Sequence, residues 1–556
     1  MSATLTTPES NASNKLETLL KDALAGFLVF LIAMPLCLAI ANASGYPPIC
    51  GIWTAVMGGI VCSFITDSQL TIKGPAAGLI VIVAGSVTGF AEHYGLDLKD
   101  KEQAIEAFRL SLGVGVVSGV IQVFFGLFRF GKIIEFFPMA AVHGMLASIG
   151  LIIISKQAYP MLGIKPAPNV EPLHLLAQLP GKFSETQQPV AIVGLTSLAI
   201  LFAFFFLPIK ALKKIPSQLV VLLVAVPMTL FLPVVAGPYQ GGSIEKAFIN
   251  VPNVLANPAS AFFMPNFEGL ATAVGIQYLV LFCLIGSLES MLSAKAVDLL
   301  DPLKRKSNMD RDLMAVGAAN TVVAMFGGLP MISEIVRSSA NINNGAQTRA
   351  ANRFHGIFLL AFVLLLPWLI NMIPMAALAA MLVFTGYRLA SPNEFIKTWK
   401  TGPQQLVVFV GTIIVTLATD LLIGILSGVA IKFFLNLWNG MPLSSIFTAS
   451  VIVEIDDSGT YRVNVKNAAA FSNWIHIRSI IVREGLTSKV VVDFSETCFV
   501  SHSVMEKIHE LEEDFHRAGG SLRVEGLAGH KSETSHPTAS RWRLTPPAGK
   551  NPFNKV

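Results

Sequence analysis

The chain has 556 residues, 53% of them hydrophobic and only 13% charged, with a formal net charge of +5. Soluble domains carry about 25% charged residues, so this composition excludes a soluble globular protein and implies a polytopic membrane protein. The modest positive charge suits basic loops lying against anionic lipid. With no basic run interleaved with aromatics, nucleic acid is not an expected partner.

Residues 1–20 are Ser/Thr/Asn-rich at the start, lack a cleavable signal pattern and read as a disordered cytosolic lead. Apolar runs of spanning length then recur. The first half gives 22–43, 51–65, 75–90, 110–128, 134–154, 190–207 and 218–235. The second half gives 270–294, 313–326, 333–344, 356–370, 375–387, 406–418 and 421–437. About fourteen segments follow, in a first repeat over 21–235, a connecting loop over 236–268 and a second repeat over 269–440. With both termini in the cytosol, the inside loops collect Lys73, Arg129, Lys132, Lys210, Lys213, Lys214, Lys304, Arg305, Lys306, Arg311, Arg349, Arg353, Arg388, Lys397 and Lys400. That is the positive-inside pattern of a multi-pass inner-membrane protein.

The third and tenth segments are broken in matching places. Gly74-Pro75 precedes the third, and Gly327-Gly328-Leu329-Pro330 precedes the tenth. Glycine and proline interrupt a helix there. Paired broken segments point to an inverted-repeat transporter whose site lies at the breaks. A helix starting inside the membrane leaves its first N–H groups free for an anion. Gly74, Pro75, Ala76 and Ala77 open one such helix, and Ser333, Glu334, Ile335, Val336 and Arg337 the other.

Charges at this depth cost roughly 2.5–3.5 kcal/mol each on insertion scales and are usually functional. Arg337 therefore either holds an anion or pairs locally with Glu334 three residues before it. Glu289, deep in the eighth segment with Ser293 one turn on, can hold a proton or a sodium ion; the other reading is a carboxylate satisfied by Arg337 or by backbone donors. His143 reads as a packed helix residue, and Asp420 as the end of an outer helix. Cys37, Cys50, Cys62, Cys283 and Cys498 show no CxxC spacing, so neither disulfides nor a zinc site is expected. Lacking a nucleophile–base set or a metal cluster, the sequence supports no enzyme and no cofactor, Na⁺ at Glu289 and Ser293 being the one metal candidate.

From about residue 446 the period changes. Strand-like runs at 451–455, 461–465, 489–494 and 522–525 surround an amphipathic helix at 503–517 that Gly519-Gly520 ends. This is a small α/β domain over 446–530. The polar, Pro-containing stretch 531–556 reads as a disordered tail. Ser501 reads as an ordinary helix N-cap.

These residues resemble the SulP anion-transporter family over nearly the whole chain. The resemblance rests on the run 45–54 (Gly-Tyr-Pro-Pro-Ile-Cys-Gly-Ile-Trp-Thr), on Lys73-Gly74-Pro75-Ala76-Ala77, on the Glu289 helix, and on Ile335-Val336-Arg337 with Asn341, Gly345, Ala346, Gln347 and Thr348. It implies seven-plus-seven inverted repeats in core and gate domains, an elevator movement, a homodimer and a C-terminal STAS domain. It also implies an inorganic anion held between the third and tenth helices, with Glu289 at the position linked to proton or sodium coupling. Ser293 matches a sodium-ligating hydroxyl if the likeness extends to bicarbonate permeases. Three positions depart from the pattern: Pro35-Leu36 in place of Pro-Gln, Glu334 in place of a small or hydroxylated residue, and Ser501-His502-Ser503 in place of the STAS acidic-hydroxyl motif. The negative charge of Glu334 disfavours sulfate, and its surroundings resemble the subgroup associated with carbonic anhydrases. The expectation is therefore a secondary active transporter of bicarbonate, then sulfate, coupled to Na⁺ or H⁺, with membrane lipid and a cytosolic carbonic anhydrase as candidate partners. The alternatives are a nucleobase carrier using Glu289 and Glu334 as its carboxylate pair, or a non-transporting membrane platform regulated through the tail.

Overall fold

The computed structural model describes residues 8–131, 136–164, 170–207, 215–232, 248–457, 459–483 and 485–543. Lys132, Lys210, Lys213 and Lys214, four of the expected inside cations, lie outside them. The chain divides into two compact units, residues 1–131 with 149–389, and residues 132–148 with 390–556.

The helices of the first half are α1 (Pro8–Ala43), α2 (Pro48–Ile65), α3 (Ile80–Tyr94), α4 (Lys101–Leu127), α5 (Met139–Met161), α6 (Pro172–Gln178), α7 (Gln188–Phe206) and α8 (Ser217–Phe231). Those of the second half are α9 (Ala273–Leu300), α10 (Met309–Met325), α11 (Ile335–Asn343), α12 (Ala350–Leu365), α13 (Pro367–Ile370), α14 (Met375–Leu389), α15 (Pro392–Thr401), α16 (Pro403–Ala418) and α17 (Leu421–Trp438). Among the described residues each of the fourteen expected segments contains a helix, the third and tenth only after a strand and, in the third, a 3₁₀ turn. Among the described residues nine helices are long and apolar enough to cross a membrane, and three more apolar helices have 10–17 residues. Two short strands, β1 (Ile72–Pro75) and β2 (Met331–Glu334), precede the third and tenth segments.

The first unit holds α1–α4, α6–α14 and the later part of α5. Its helices close on glycine. A Cβ on Gly51 would strike the Cys37 carbonyl, one on Gly59 the backbone of Asn352 and Gly356, and one on Gly119 the backbone of Thr321. Such backbone approach is how membrane helices pack where lipid offers no hydrophobic drive. Residues 8–20 are helical, not the disordered lead expected over 1–20. The Glu17–Lys21 pair at 2.7 Å, at i,i+4 spacing, supports that turn.

The second unit holds the start of α5, α15–α17 and the sheet domain. That domain contains β3 (Ser450–Ile455), β4 (Tyr461–Ala469), α18 (Trp474–Ile481), β5 (Lys489–Asp493), β6 (Thr497–Val500), α19 (His502–Ala518), β7 (Ser521–Glu525), β8 (His530–Ser532) and β9 (Arg541–Arg543). The sheet order is β7-β5-β4-β6-β9-β8, with β3 paired to β4; β4–β5, β4–β6 and β5–β7 are parallel, and β3–β4, β6–β9 and β8–β9 antiparallel. Trp474, Val490, Val492, Phe494, Ile508 and Phe515 fill its core. The α/β fold expected for the tail is present, and Gly519 ends α19 at φ +87° as its position suggested.

Two tail expectations fail. Residues 530–543 are not disordered: β8 and β9 extend the sheet, with Phe499 opposite Trp542. Glu533 between them accepts from the Gln404 N–H at 3.0 Å, and the Thr534 hydroxyl donates to the Lys400 carbonyl at 3.0 Å. These bonds, with Phe433 and Phe471 rings 5.4 Å apart, tie the sheet domain to α15–α17, so compactness does not divide the chain at 440–446. Ser501 does precede α19, but its hydroxyl caps nothing and has no partner among the described residues.

Candidate functional site: two opposed half helices

The site begins with the two breaks. β1 and β2 pair antiparallel, with Ile72 opposite Glu334, Lys73 opposite Ser333, Gly74 opposite Ile332 and Pro75 opposite Met331. Gly327, at φ +105°, turns the chain out of α10. Backbone at this depth must find partners within the protein. The Leu329 N–H donates to Thr54 Oγ1 at 2.8 Å, the Met331 N–H to Asn320 Oδ1 at 2.7 Å, and the Ile72 N–H to Ser338 Oγ at 2.8 Å.

Each strand then enters a helical turn. Ala77–Leu79 is a 3₁₀ turn leading into α3, with Ala76 before it, and Ile335 opens α11. Neither start is capped by the side chain of its own N-cap residue. The antiparallel ladder leaves one start beyond each of its ends, Ala77 past Pro75 and Ile335 past Glu334.

Arg337 lies one turn into α11, only 1% exposed. Its Nη2 donates to the Pro75 carbonyl at 3.2 Å, while Nε and Nη1 have no hydrogen-bond partner among the described residues. The local pair with Glu334 that the spacing left open is not made. Gly74 makes room for this guanidinium: a Cβ there would stand 2.5 Å from Nη1.

Glu289 is 5% exposed, and its Oε1 has no hydrogen-bond partner among the described residues, the Ser293 hydroxyl included. The carboxylate packs against the first turn of α3, where a Cβ on Gly78 would collide with both of its oxygens. Ser293 is half-buried. Its neighbour Ser290 makes the link to β2, accepting from the Ser333 N–H at 3.1 Å and donating to Ser333 Oγ at 3.2 Å.

The sequence missed a second charged group. Lys73, counted as an inside-loop cation, is 0% exposed. Its ammonium donates to both oxygens of Asp312, at 2.6 and 2.8 Å, and to Ser333 Oγ. Thr66 and Ser333 also donate to that carboxylate. One signal was present, since Lys73 directly precedes a Gly-Pro break already placed at membrane depth. Arg353, also counted as a loop cation, lies within α12 and stands 4.7 Å over the Phe64 ring. His355 on α12 is fully buried beside Arg337, with both ring nitrogens unpartnered. Cys37 of α1 and Arg388 of α14 complete the surroundings of Arg337 and Glu334.

A family model described as the sulfate permease family matches residues 19–412. The chain belongs to the sulfate permease family. YvdB of Bacillus subtilis (strain 168), which carries a provisional designation as a sulfate transporter, is 25% identical to this member over 528 residues, 93% of each chain. The bicarbonate transporter BicA of Picosynechococcus is 25% identical over 418 residues, covering 75% of this chain and 70% of its own. Among solved structures, the transmembrane domain of a cyanobacterial BicA superposes with a TM-score of 0.60 at 20% identity, covering 73% of this chain and 97% of that one. Murine Slc26a9, an anion transporter in the inward-facing state, superposes at 0.64 and 15% identity, covering 91% and 85%. The fold is therefore the expected one: a polytopic helical membrane protein of this family with a small α/β domain of STAS type. As a member of the family the chain is an anion transporter of the sulfate/bicarbonate type, not an enzyme.

Proposed function

We propose that this family member is a secondary active transporter of a small inorganic anion, bicarbonate ahead of sulfate. The observation that carries the reading is Arg337, buried with two guanidinium nitrogens unpartnered among the described residues. A guanidinium fork suits a planar oxyanion. Bicarbonate comes first because Glu334 adds negative charge beside the site, and because a relative over most of the chain is named a bicarbonate transporter.

Coupling falls to Glu289. A carboxylate this buried, with one oxygen unpartnered, takes a proton or a sodium ion, and its contact with Gly78 links that event to the first turn of α3. Ser293 would complete a sodium site if it turned towards Glu289. The reading also carries an elevator-type movement, a homodimer in lipid, cytosolic termini, and a STAS-type domain open to a cytosolic partner such as a carbonic anhydrase. The test is uptake by Glu289→Gln at several sodium concentrations and pH values. The reading expects the dependence on the driving ion to vanish, and a variant that keeps wild-type dependence on both would refute the coupling role.

A further inference from the structure

A single hydroxyl on α9 holds the second break at two points. Ser290, next to Glu289 in the chain and 1% exposed, accepts from the Ser333 N–H at 3.1 Å and donates to Ser333 Oγ at 3.2 Å. Two bonds to one residue fix its rotation as well as its place. Ser333 Oγ in turn accepts from the Lys73 ammonium and donates to Asp312 Oδ2 at 3.2 Å. A hydroxyl offers one donor and two acceptor positions, so that of Ser333 is saturated. Ser333 stands opposite Lys73 in the β1–β2 ladder, two residues before α11 begins and four before Arg337. One buried point thus joins α9, α10 and both breaks.

In the reading above Glu289 takes the driving ion and Arg337 the anion. Coupling requires that one event change the free energy of the other, and the effect is reciprocal. Hydrogen-bond networks and rigid elements carry such coupling between sites. Glu289 and Ser290 are consecutive on one helix, so a shift of the carboxylate against Gly78 that displaces this turn carries Ser290 with it. Ser290 then moves Ser333, and with it the strand that leads into the Arg337 helix. Both serines are buried, so water does not replace these bonds if they break. We propose that Ser290 is the positioning residue for coupling: its two bonds to Ser333 transmit ion occupancy at Glu289 to the anion position at Arg337. The proposal rests on the coupled-transport reading and adds the link between its two sites. A merely structural Ser290 would satisfy irregular backbone at this depth and leave the coupling untouched.

The test reads dissociation constants for bicarbonate and for sulfate from the ligand-dependent shift of thermal unfolding of the full-length protein. They are measured with and without sodium, and at two pH values, for the wild type, Ser290→Ala, Glu289→Gln and the double variant. The ratio of the constants without and with the driving ion is the coupling factor. The wild type is expected to show a factor of at least about five, and Ser290→Ala a factor of about one. Glu289→Gln is expected to abolish the factor too, with no further change in the double variant, because both act on one link. A Ser290→Ala variant whose affinity falls equally with and without the ion keeps the factor, and that result overturns the proposal. If Ser290→Ala does not fold, Ser290→Cys decides. Its thiol fills the space but is a weak donor and acceptor, so a reduced factor supports the proposal and a wild-type factor overturns it. A wild type whose anion affinity ignores both sodium and pH refutes the coupled-transport reading and the proposal with it. A wild-type ion effect that survives in Ser290→Ala refutes the proposal alone.

Discussion

Replacing Lys73 with methionine keeps the length of the side chain and removes its charge. The Asp312 carboxylate then stays buried with only the Thr66 and Ser333 hydroxyls as donors. Removing one partner of a buried ion pair costs about 3–5 kcal/mol, because the other charge is left uncompensated. At roughly 2 °C per kcal/mol for a large domain, the midpoint of thermal unfolding falls by about 6–10 °C. Replacing both partners removes both desolvation costs, and apolar substitutes of similar volume are often neutral. Lys73→Met/Asp312→Leu is therefore expected to unfold closer to the wild type than either single variant. Unfolding of the four purified proteins in one detergent measures the coupling. A Lys73→Met variant as stable as the wild type, or a double variant as poor as the sum of the singles, would refute the idea that this pair pins β1 to β2 and α10.

Gly78→Ala places a methyl group on both oxygens of Glu289, so the variant is expected to fold but to lose coupled uptake at least tenfold; normal coupled uptake would contradict the packing of that carboxylate against α3. In the sheet domain, burial pushes the His502 imidazole down from 6.5 to about 4. The unfolded chain then takes that proton first, so stability is complete above about pH 6.5 and is lost as pH falls towards 4. Lys432 and His536 also face His502, whose Nδ1 meets the Thr538 carbonyl at 2.7 Å. Glu506, 3.7 Å from His502, is pushed up by burial and so opposes part of this loss. His502→Gln should flatten the pH dependence of amide exchange over residues 446–543 of the full chain, and an unchanged profile would exclude His502 as its source.

The sequence showed the scaffold well because membrane spans announce themselves by length and apolarity. The two breaks were as plain, since Gly74-Pro75 and Gly327-Gly328-Leu329-Pro330 cannot continue a helix. What stayed hidden were polar residues at segment edges. The apolar runs begin at 313 and 356, just past Asp312 and His355, because a charge or an imidazole looks like the end of a span. Lys73 was misplaced for the same reason: the positive-inside rule assigns every cation to a loop unless a partner is known, and Asp312 lies 239 residues away. The pairing of β1 with β2, which sets Glu334 opposite Ile72, is encoded by no local pattern. In the tail, β8 and β9 have only three residues each, too short to show a period.

The most direct test of the central claim is radiolabelled bicarbonate and sulfate uptake into proteoliposomes by the wild type and by Arg337→Gln, with and without a sodium gradient, at two pH values. The account predicts driven bicarbonate uptake by the wild type and a loss of at least about tenfold in Arg337→Gln, since a charged hydrogen bond contributes roughly 1.5–3 kcal/mol. Driven uptake by Arg337→Gln at the wild-type rate and affinity would contradict it and place the anion elsewhere.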